Sequence, residues 1–343
     1  MHAIEHQLLA VNGISLSLYS CGPVDGPAVW LLHGFPECWL SWRKQMPALA
    51  AAGYRVCVPE MRGYGRSSCP EPVADYDLLT LCADIQCAME LLGHKQVCMV
   101  GHDWGAPVAW HLALLEPERV RAVVGMSVPF GGRPKQPIIE TLQRVYADRF
   151  NYILYFQQPG VAERELDADI PRTLRLMMHN WSAAVGKQLF WQEKPVTAGL
   201  LDGLQEVDQP PAWCEPEAFA GYVATYAEHG FRGPLNWYRN FARNWQRTEH
   251  LQGACIQQPA LFLLGDQDPV GVLEAYTIEQ MPKVVSHLRQ HVLDDCGHWL
   301  QCEAPEQVNV QLLAFLAEHF PAPQPVIGSA GFAPFTKGRS SCH

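Results

Sequence analysis

Short apolar runs alternate with amphipathic stretches along the first third of the chain. Ala28-Val29-Trp30-Leu31-Leu32 carries no polar position and reads as a strand buried on both faces, ending at His33-Gly34. A helix is expected around Trp42 to Ala52, followed by a strand at Tyr54-Arg55-Val56-Cys57-Val58-Pro59. Leu81, Ile85, Met89 and Leu92 recur at helical spacing, which predicts a helix with one face against a core. Gln96-Val97-Cys98-Met99-Val100 predicts a third strand, Ala106 to Leu115 an apolar helix, and Val120 to Ser127 a fourth strand. Strands alternating with helices imply a parallel sheet wound by right-handed crossovers.

That rhythm stops at about Pro129. From there to Leu251 the chain is rich in Trp, Tyr and Arg, patterned as helices, and has no convincing strand. Strands resume at Pro259 to Leu264 and His287 to Leu293, and a helix from Pro305 to His319 closes the pattern. An all-helical insertion within an α/β alternation predicts a cap over the C-terminal edge of the sheet, where such folds bind ligands. The expected organisation is an α/β core over 1–128, a helical cap over 129–251, the second part of the core over 252–320, and a tail over 321–343. The tail is rich in Pro, Gly, Ser and Ala and reads as disordered or as a packed extended arm. No internal repeat is visible.

Length and composition narrow the possibilities further. At 343 residues the chain suits one large core with an inserted lid. The formal net charge of −10 comes from dispersed acidic residues, so nucleic acid is excluded as a partner for want of a concentrated basic face. No basic stretch followed by an apolar one opens the chain, and no apolar run approaches the roughly 20 residues of a membrane-spanning helix. Twelve cysteines are present, none in a C-x-x-C pair, and most fall inside apolar runs. In a chain of this size they read as reduced thiols of a cytoplasmic protein rather than as a disulfide framework. Cys296 and Cys302 flank a candidate catalytic histidine and are open to oxidation there. No metal-ligand cluster or nucleotide motif is visible, so no cofactor is expected. The sequence does not speak to oligomeric state.

Gly101-His102-Asp103-Trp104-Gly105 sits where an apolar strand meets a helix. That is the setting of the nucleophile elbow, with Asp103 where an esterase has serine. The bare G-x-D-x-G pattern is weak; between those two elements it becomes specific. A helix-capping role for Asp103 would leave its downstream partners unaccounted for. The exchange of Ser for Asp changes the chemistry. A carboxylate is already anionic at neutral pH, needs no base, and can displace a leaving group at saturated carbon. The product is an ester of the protein, which water must then cleave, so histidine and its acid act in the second half of the reaction.

His298 lies in Asp295-Cys296-Gly297-His298-Trp299, just after the last expected strand. The order nucleophile, acid, histidine is that of the α/β-hydrolase arrangement, and His298 is the candidate base for the attacking water. Two aspartates of the loop Gly265-Asp266-Gln267-Asp268-Pro269 compete for the acid. The loop His33-Gly34-Phe35-Pro36-Glu37 follows the first buried strand, which points to the backbone N–H groups of Phe35 and Trp104 as an oxyanion hole.

The chain resembles the soluble epoxide hydrolases of the α/β-hydrolase superfamily. The matching stretches are His33 to Glu37, Arg62-Gly63-Tyr64-Gly65-Arg66-Ser67, Gly101 to Ala106 and Cys296 to Trp299. Two more lie in the insertion, Tyr152 to Gly160 and Gly233-Pro234-Leu235-Asn236-Trp237-Tyr238-Arg239. The resemblance spans roughly Ile14 to Phe320 and is to the hydrolase domain of the vertebrate enzymes and to plant and bacterial single-domain relatives. The phosphatase domain that precedes it in vertebrates has no room here. The resemblance implies an α/β-hydrolase fold, a mostly parallel sheet of the eight-stranded type with an inserted helical cap. It also implies hydrolysis of a small-molecule epoxide by water to a vicinal diol. Among the site residues it favours Asp268 over Asp266. It also places two lid tyrosines, Tyr152 and Tyr238, on the epoxide oxygen, choosing Tyr152 over the neighbouring Tyr155. Such donors suit the chemistry, since an alkoxide leaves poorly and a phenol can donate to it while neutral. Glu37 and His102 correspond to residues of a water-positioning network in plant members, or serve only to fix loops. Phe35, Trp104, Phe156 and Trp299 are expected to line an apolar pocket.

Four rival readings compete for the same residues. A haloalkane dehalogenase also uses an elbow aspartate, but wants a second N–H donor for the halide where this chain has Phe35. A fluoroacetate dehalogenase wants Arg after the nucleophile, where Trp104 stands. A silent receptor of the same fold would have lost a member of the triad, and a serine esterase would need Ser at the elbow; neither holds.

Overall fold

The computed structural model describes residues 2–190 and 193–323. Its strands are β1 (Glu5–Val11), β2 (Ile14–Cys21), β3 (Ala28–Leu32), β4 (Arg55–Pro59), β5 (Val97–His102), β6 (Val120–Met126), β7 (Ile256–Gly265) and β8 (Val285–Leu293). They form one sheet in the order β1-β2-β4-β3-β5-β6-β7-β8. From β4 onward neighbours run parallel, whereas β1 and β2 add to the edge antiparallel. The hairpin between β1 and β2 turns on Asn12 and Gly13, both at positive φ (43° and 77°), the pair favoured in a two-residue turn. That hairpin is absent from the sequence reading, because its alternating pattern is weaker than the all-apolar runs of the central strands.

Alternation along the central strands creates two cores. Trp30 and Leu32 of β3, with Val97 and Met99 of β5, face one side, against Leu81, Ile85 and Met89 of one helix and Val108 and Leu112 of another. Val29, Leu31, Cys98 and Val100 face the other, against Met46, Leu49, Val308, Leu312 and Phe315. The period of two in a strand puts successive side chains on opposite faces, so a run with no polar position demands cover on both. The covering helices are α1 (Gln45–Ala51), α2 (Leu78–Leu91) and α3 (Gly105–Leu115), joined later by the last helix of the chain. Asp77 caps α2, accepting the Thr80 N–H at 3.1 Å.

Between β6 and β7 the elements are all helical: α4 (Ile138–Val145), α5 (Tyr152–Tyr155), α6 (Val161–Leu166), α7 (Ile170–Asn180), α8 (Gly186–Phe190), α9 (Pro216–Ala227), α10 (Arg232–Arg239) and α11 (Phe241–Arg247). Hydrogen bonds tie this insertion to loops at the C-terminal ends of the strands. Trp237 Nε1 donates to the Arg62 carbonyl (3.1 Å), Tyr226 Oη to the Glu37 carbonyl (3.2 Å), and Trp299 Nε1 to the Met178 carbonyl (3.0 Å). After β7 come α12 (Val270–Leu273) and α13 (Ala275–Gln280), and after β8 the short α14 (Leu300–Glu303) and α15 (Pro305–His319). The expected tail over 321–343 lies outside the described residues from 324 on. Among the described residues no helix is long and apolar enough to cross a membrane, and eleven cysteines carry free thiols.

One ion pair lies buried beneath the insertion. Arg62 is bidentate to Asp84, at 2.6 and 2.7 Å, with the two side chains 4 % and 1 % exposed. Burial pushes the Asp84 carboxyl up, and Arg62 is the chief group opposing that. Arg62→Leu leaves a buried carboxylate without its cation, which is expected to cost about 3–5 kcal/mol. Urea denaturation should show this as a lower midpoint at unchanged slope. A loss under about 1 kcal/mol would mean that Asn12, which donates to the same carboxylate at 2.8 Å, suffices alone.

Candidate active site

The turn from β5 into α3 is built by close backbone packing. A Cβ on Gly101 would fall 2.1 Å from the Gly105 carbonyl oxygen, and one on Gly34 would fall 2.3 Å from Asp103 Oδ1. Asp103 itself sits at φ 48°, a left-handed conformation that costs an ordinary residue strain and occurs where geometry is over-determined. The turn lifts its carboxylate above the sheet, toward the insertion. Oδ1 accepts the Phe35 N–H at 2.7 Å, and the Trp104 amide follows Asp103 directly in the turn. Burial pushes the Asp103 carboxyl up, opposed by His298, His102 and these two amides.

His298 Nε2 lies 3.7 Å from Asp103 Oδ2, while its Nδ1 is 3.2 Å from both oxygens of Asp268. Burial disfavours the imidazolium, but the carboxylates of Asp268, Asp103 and Glu37 outweigh it and push the His298 pKa up to about 9. Asp268 is fully buried. Burial alone would raise its carboxyl, yet His298, Ser127 and the Val270 amide hold it below the usual range. Asp266 points elsewhere, its Oδ1 accepting the Cys296 N–H at 3.0 Å.

Below the histidine runs a buried polar chain. Glu37 Oε2 is 2.6 Å from His102 Nδ1 and accepts the Gly34 N–H at 2.7 Å, while Gln301 Nε2 donates to its Oε1 at 2.6 Å. His102 Nε2 faces the His298 carbonyl at 2.7 Å, so it acts there as the donor. Burial opposes ionisation of Glu37, but His102 and His33 overcome it and hold the carboxyl at about 2. Glu37 thus stays anionic and adds to the field at His298.

The space over Asp103 is a cavity of about 50 Å³ bounded by Phe35, Tyr152, Phe156, Trp181, Tyr238 and Trp299, among others. A larger cavity of about 230 Å³ shares Tyr152, Trp181, Leu200, Pro269 and Leu273 with it. The Tyr152 and Tyr238 rings stand 6.0 Å apart, near perpendicular. Burial and the Asp103 charge push both phenols up, so they remain protonated donors. Tyr155 is turned away, its hydroxyl donating to Glu165 at 2.8 Å. Phe35, Phe156 and Trp299 stand on the cavity wall. The Trp104 side chain, expected there, does not: it precedes α3 as its N-terminal cap, already in a helical conformation, with the indole packed on Trp237, Tyr238 and Phe241. Its backbone, not its ring, faces the site.

Several residues at the site were not read from the sequence. Met177, Trp181 and Leu200 of the insertion reach the cavity, and nothing local distinguishes them from other apolar residues there. Ser127 Oγ lies 3.2 Å from His102 Nε2. Gln301 and Glu303 lie three and five residues after His298, and that proximity was a signal available in the sequence. Among the described residues no group of three metal-ligating side chains occurs.

A family model described as alpha/beta hydrolase fold matches residues 27–162. The chain is 41 % identical to epoxide hydrolase A of Mycobacterium tuberculosis over 92 % of its own length and 98 % of that protein. It is 39 % identical to bifunctional epoxide hydrolase 2 of Sus scrofa, again over 92 % of its length but only 55 % of that longer protein. The crystal structure of epoxide hydrolase A from Mycobacterium thermoresistibile superposes with a TM-score of 0.85 at 43 % identity, covering 92 % of this chain and 98 % of that one.

Proposed function

The chain belongs to the epoxide hydrolases of the α/β-hydrolase fold, and we propose that it converts an epoxide and water to a vicinal diol through an ester on Asp103. The observation that carries this reading is the pair of neutral phenols, Tyr152 and Tyr238, on the wall of the cavity that contains the Asp103 carboxylate. Asp103 Oδ2 attacks an epoxide carbon as the carbon–oxygen bond breaks, and the phenols hold the emerging alkoxide. Attack converts an anion into a neutral ester, so His298 loses one of the charges that support its proton. The proton it releases balances the one taken up by the alkoxide, and both tyrosines end neutral.

Hydrolysis then uses the neutral imidazole. His298, oriented by Asp268, takes a proton from water, and hydroxide adds to the ester carbonyl. The charge collects on Oδ1, which the Phe35 and Trp104 amides hold as an oxyanion hole. Collapse breaks the bond to the diol oxygen, which takes the proton left on the carboxyl, and the Asp103 carboxylate is restored. Glu37 and His102 brace this loop and sustain its field. The insertion 129–251 acts as the cap whose tyrosines set the substrate class. Phe35 offers no halide donor, which favours an epoxide over a haloalkane. Free thiols and no disulfide among the described residues favour the reducing cytoplasm.

A single turnover in isotopically labelled water, followed by peptide mass analysis, tests the covalent route. Label is expected in the Asp103 carboxylate after the first turnover and not in the diol; label entering the diol directly would overturn it. The charge argument has its own check. Asp103→Asn removes an anion 3.7 Å from Nε2 without removing bulk, so the His298 pKa should fall from about 9. An NMR titration of the ring that shows no fall would mean that Asp268 alone governs it.

A further inference from the structure

We propose that Glu303 is a positioning residue that locks the cap to both flanks of His298 and is required for ester hydrolysis but not for epoxide opening. The proposal rests on the covalent two-step reading above. Glu303 ends the short helix α14 and turns its carboxylate back beneath the histidine loop. Oε2 accepts the Ala183 N–H at 2.7 Å and the Gly297 N–H at 3.3 Å, and Oε1 accepts the Trp299 N–H at 2.9 Å. Two of these amides are the immediate neighbours of His298 in the chain. The third belongs to the insertion, just after Trp181, whose carbonyl accepts the His298 N–H at 2.9 Å.

The catalytic histidine is therefore stitched to the cap on both sides, by its own amide and through one carboxylate. Contact at this seam is very close. A Cβ on Gly297 would lie 2.4 Å from the Ala183 nitrogen and 2.8 Å from Glu303 Oε1, so only glycine lets the two segments meet. A carboxylate is the one side chain that suits the position, since all three partners are donors and an anion accepts from each. An amide of the same size would turn its own NH₂ toward at least one backbone N–H. Burial pushes the Glu303 carboxyl up, and the Ala183, Trp299 and Gly297 amides offset part of that rise.

The consequence differs between the two steps. Epoxide opening needs Asp103 and the tyrosines, which sit on the elbow, α5 and α10. Ester hydrolysis needs Nε2 at a set height over the Asp103 carbonyl, and misplacement by about 1 Å costs on the order of 100-fold. Glu303→Gln and Glu303→Ala should thus open epoxide at close to the wild-type rate in a stopped-flow single turnover. Hydrolysis of the Asp103 ester should slow about 10- to 100-fold, with the ester accumulating on peptide mass analysis. Glu303→Asp, which keeps the charge on a shorter arm, should recover part of that loss. Gly297→Ala is a second variant that pushes the same seam apart with Glu303 intact, and should show the same split between steps. Equal slowing of both steps, or ester hydrolysis at the wild-type rate in Glu303→Gln, would overturn the proposal while leaving the covalent reading in place. Failure to form any ester in the unaltered protein would instead remove the covalent reading itself.

Discussion

His298→Gln is expected to lower steady-state turnover by about 10²- to 10⁴-fold while one equivalent of epoxide is still consumed per protein. In the proposed mechanism His298 acts as a base only in the second step. Glutamine fills the space and can bond to Asp268, but it cannot take a proton from water. The Asp103 carboxylate needs no base to attack, so opening proceeds and the ester persists. Intact-protein mass spectrometry after mixing with excess epoxide should show a mass gain equal to one substrate. Loss of the burst along with turnover would indicate that His298 supplies its proton to the alkoxide too early to be replaced by solvent. That outcome would make the proton His298 releases during opening obligatory for the first step. A variant that turns over within tenfold of the unaltered protein would exclude His298 as the base.

The complementary experiment removes the phenols. Loss of one positioned donor to a developing oxyanion typically costs about 10²- to 10³-fold. Tyr152→Phe and Tyr238→Phe should each fall in that range, and the double variant further, since an unsupported alkoxide leaves poorly. The defect should lie wholly in the opening step, so that no ester accumulates and the burst disappears. This is the opposite signature to His298→Gln, and the pair together assigns residues to steps. Tyr155→Phe is the control, because its hydroxyl is engaged by Glu165; it should leave the opening rate within about twofold. The replacements keep the aromatic packing of Tyr238 with Phe35 and Trp104, at 5.5 and 5.2 Å, so stability should change little. A single Tyr→Phe variant with the full opening rate would mean that the other phenol carries the oxygen alone.

Element order was legible wherever the local pattern was strong. The all-apolar runs of β3 and β5, the helix at 305–319 and the break in rhythm after β6 are local properties of the chain. The β1–β2 hairpin was not read, since β1 is largely exposed and the buried β2 carries serines such as Ser17 and Ser20 that break its apolar run. Trp104 shows a subtler limit. Its place after the nucleophile was plain, but whether its ring or its amide faces the cavity depends on the angle at which α3 leaves the elbow.

What the sequence by itself determined is the chemistry available: a carboxylate on a strand–turn–helix elbow, a histidine after the last strand, and tyrosines in an inserted helical segment. Those follow from periodicity and from residue type at each turn, which are local. The tertiary structure decided which of two close neighbours faces the site. Asp268 and not Asp266 meets His298, and Tyr152 and not Tyr155 meets the cavity. It also revealed the Glu303 clamp, whose three partners come from two distant segments. Residues two or three apart differ little in sequence context. Their directions are set by loop path and by packing against elements more than a hundred residues away, such as Trp181 at the His298 backbone, and only the folded chain brings those together.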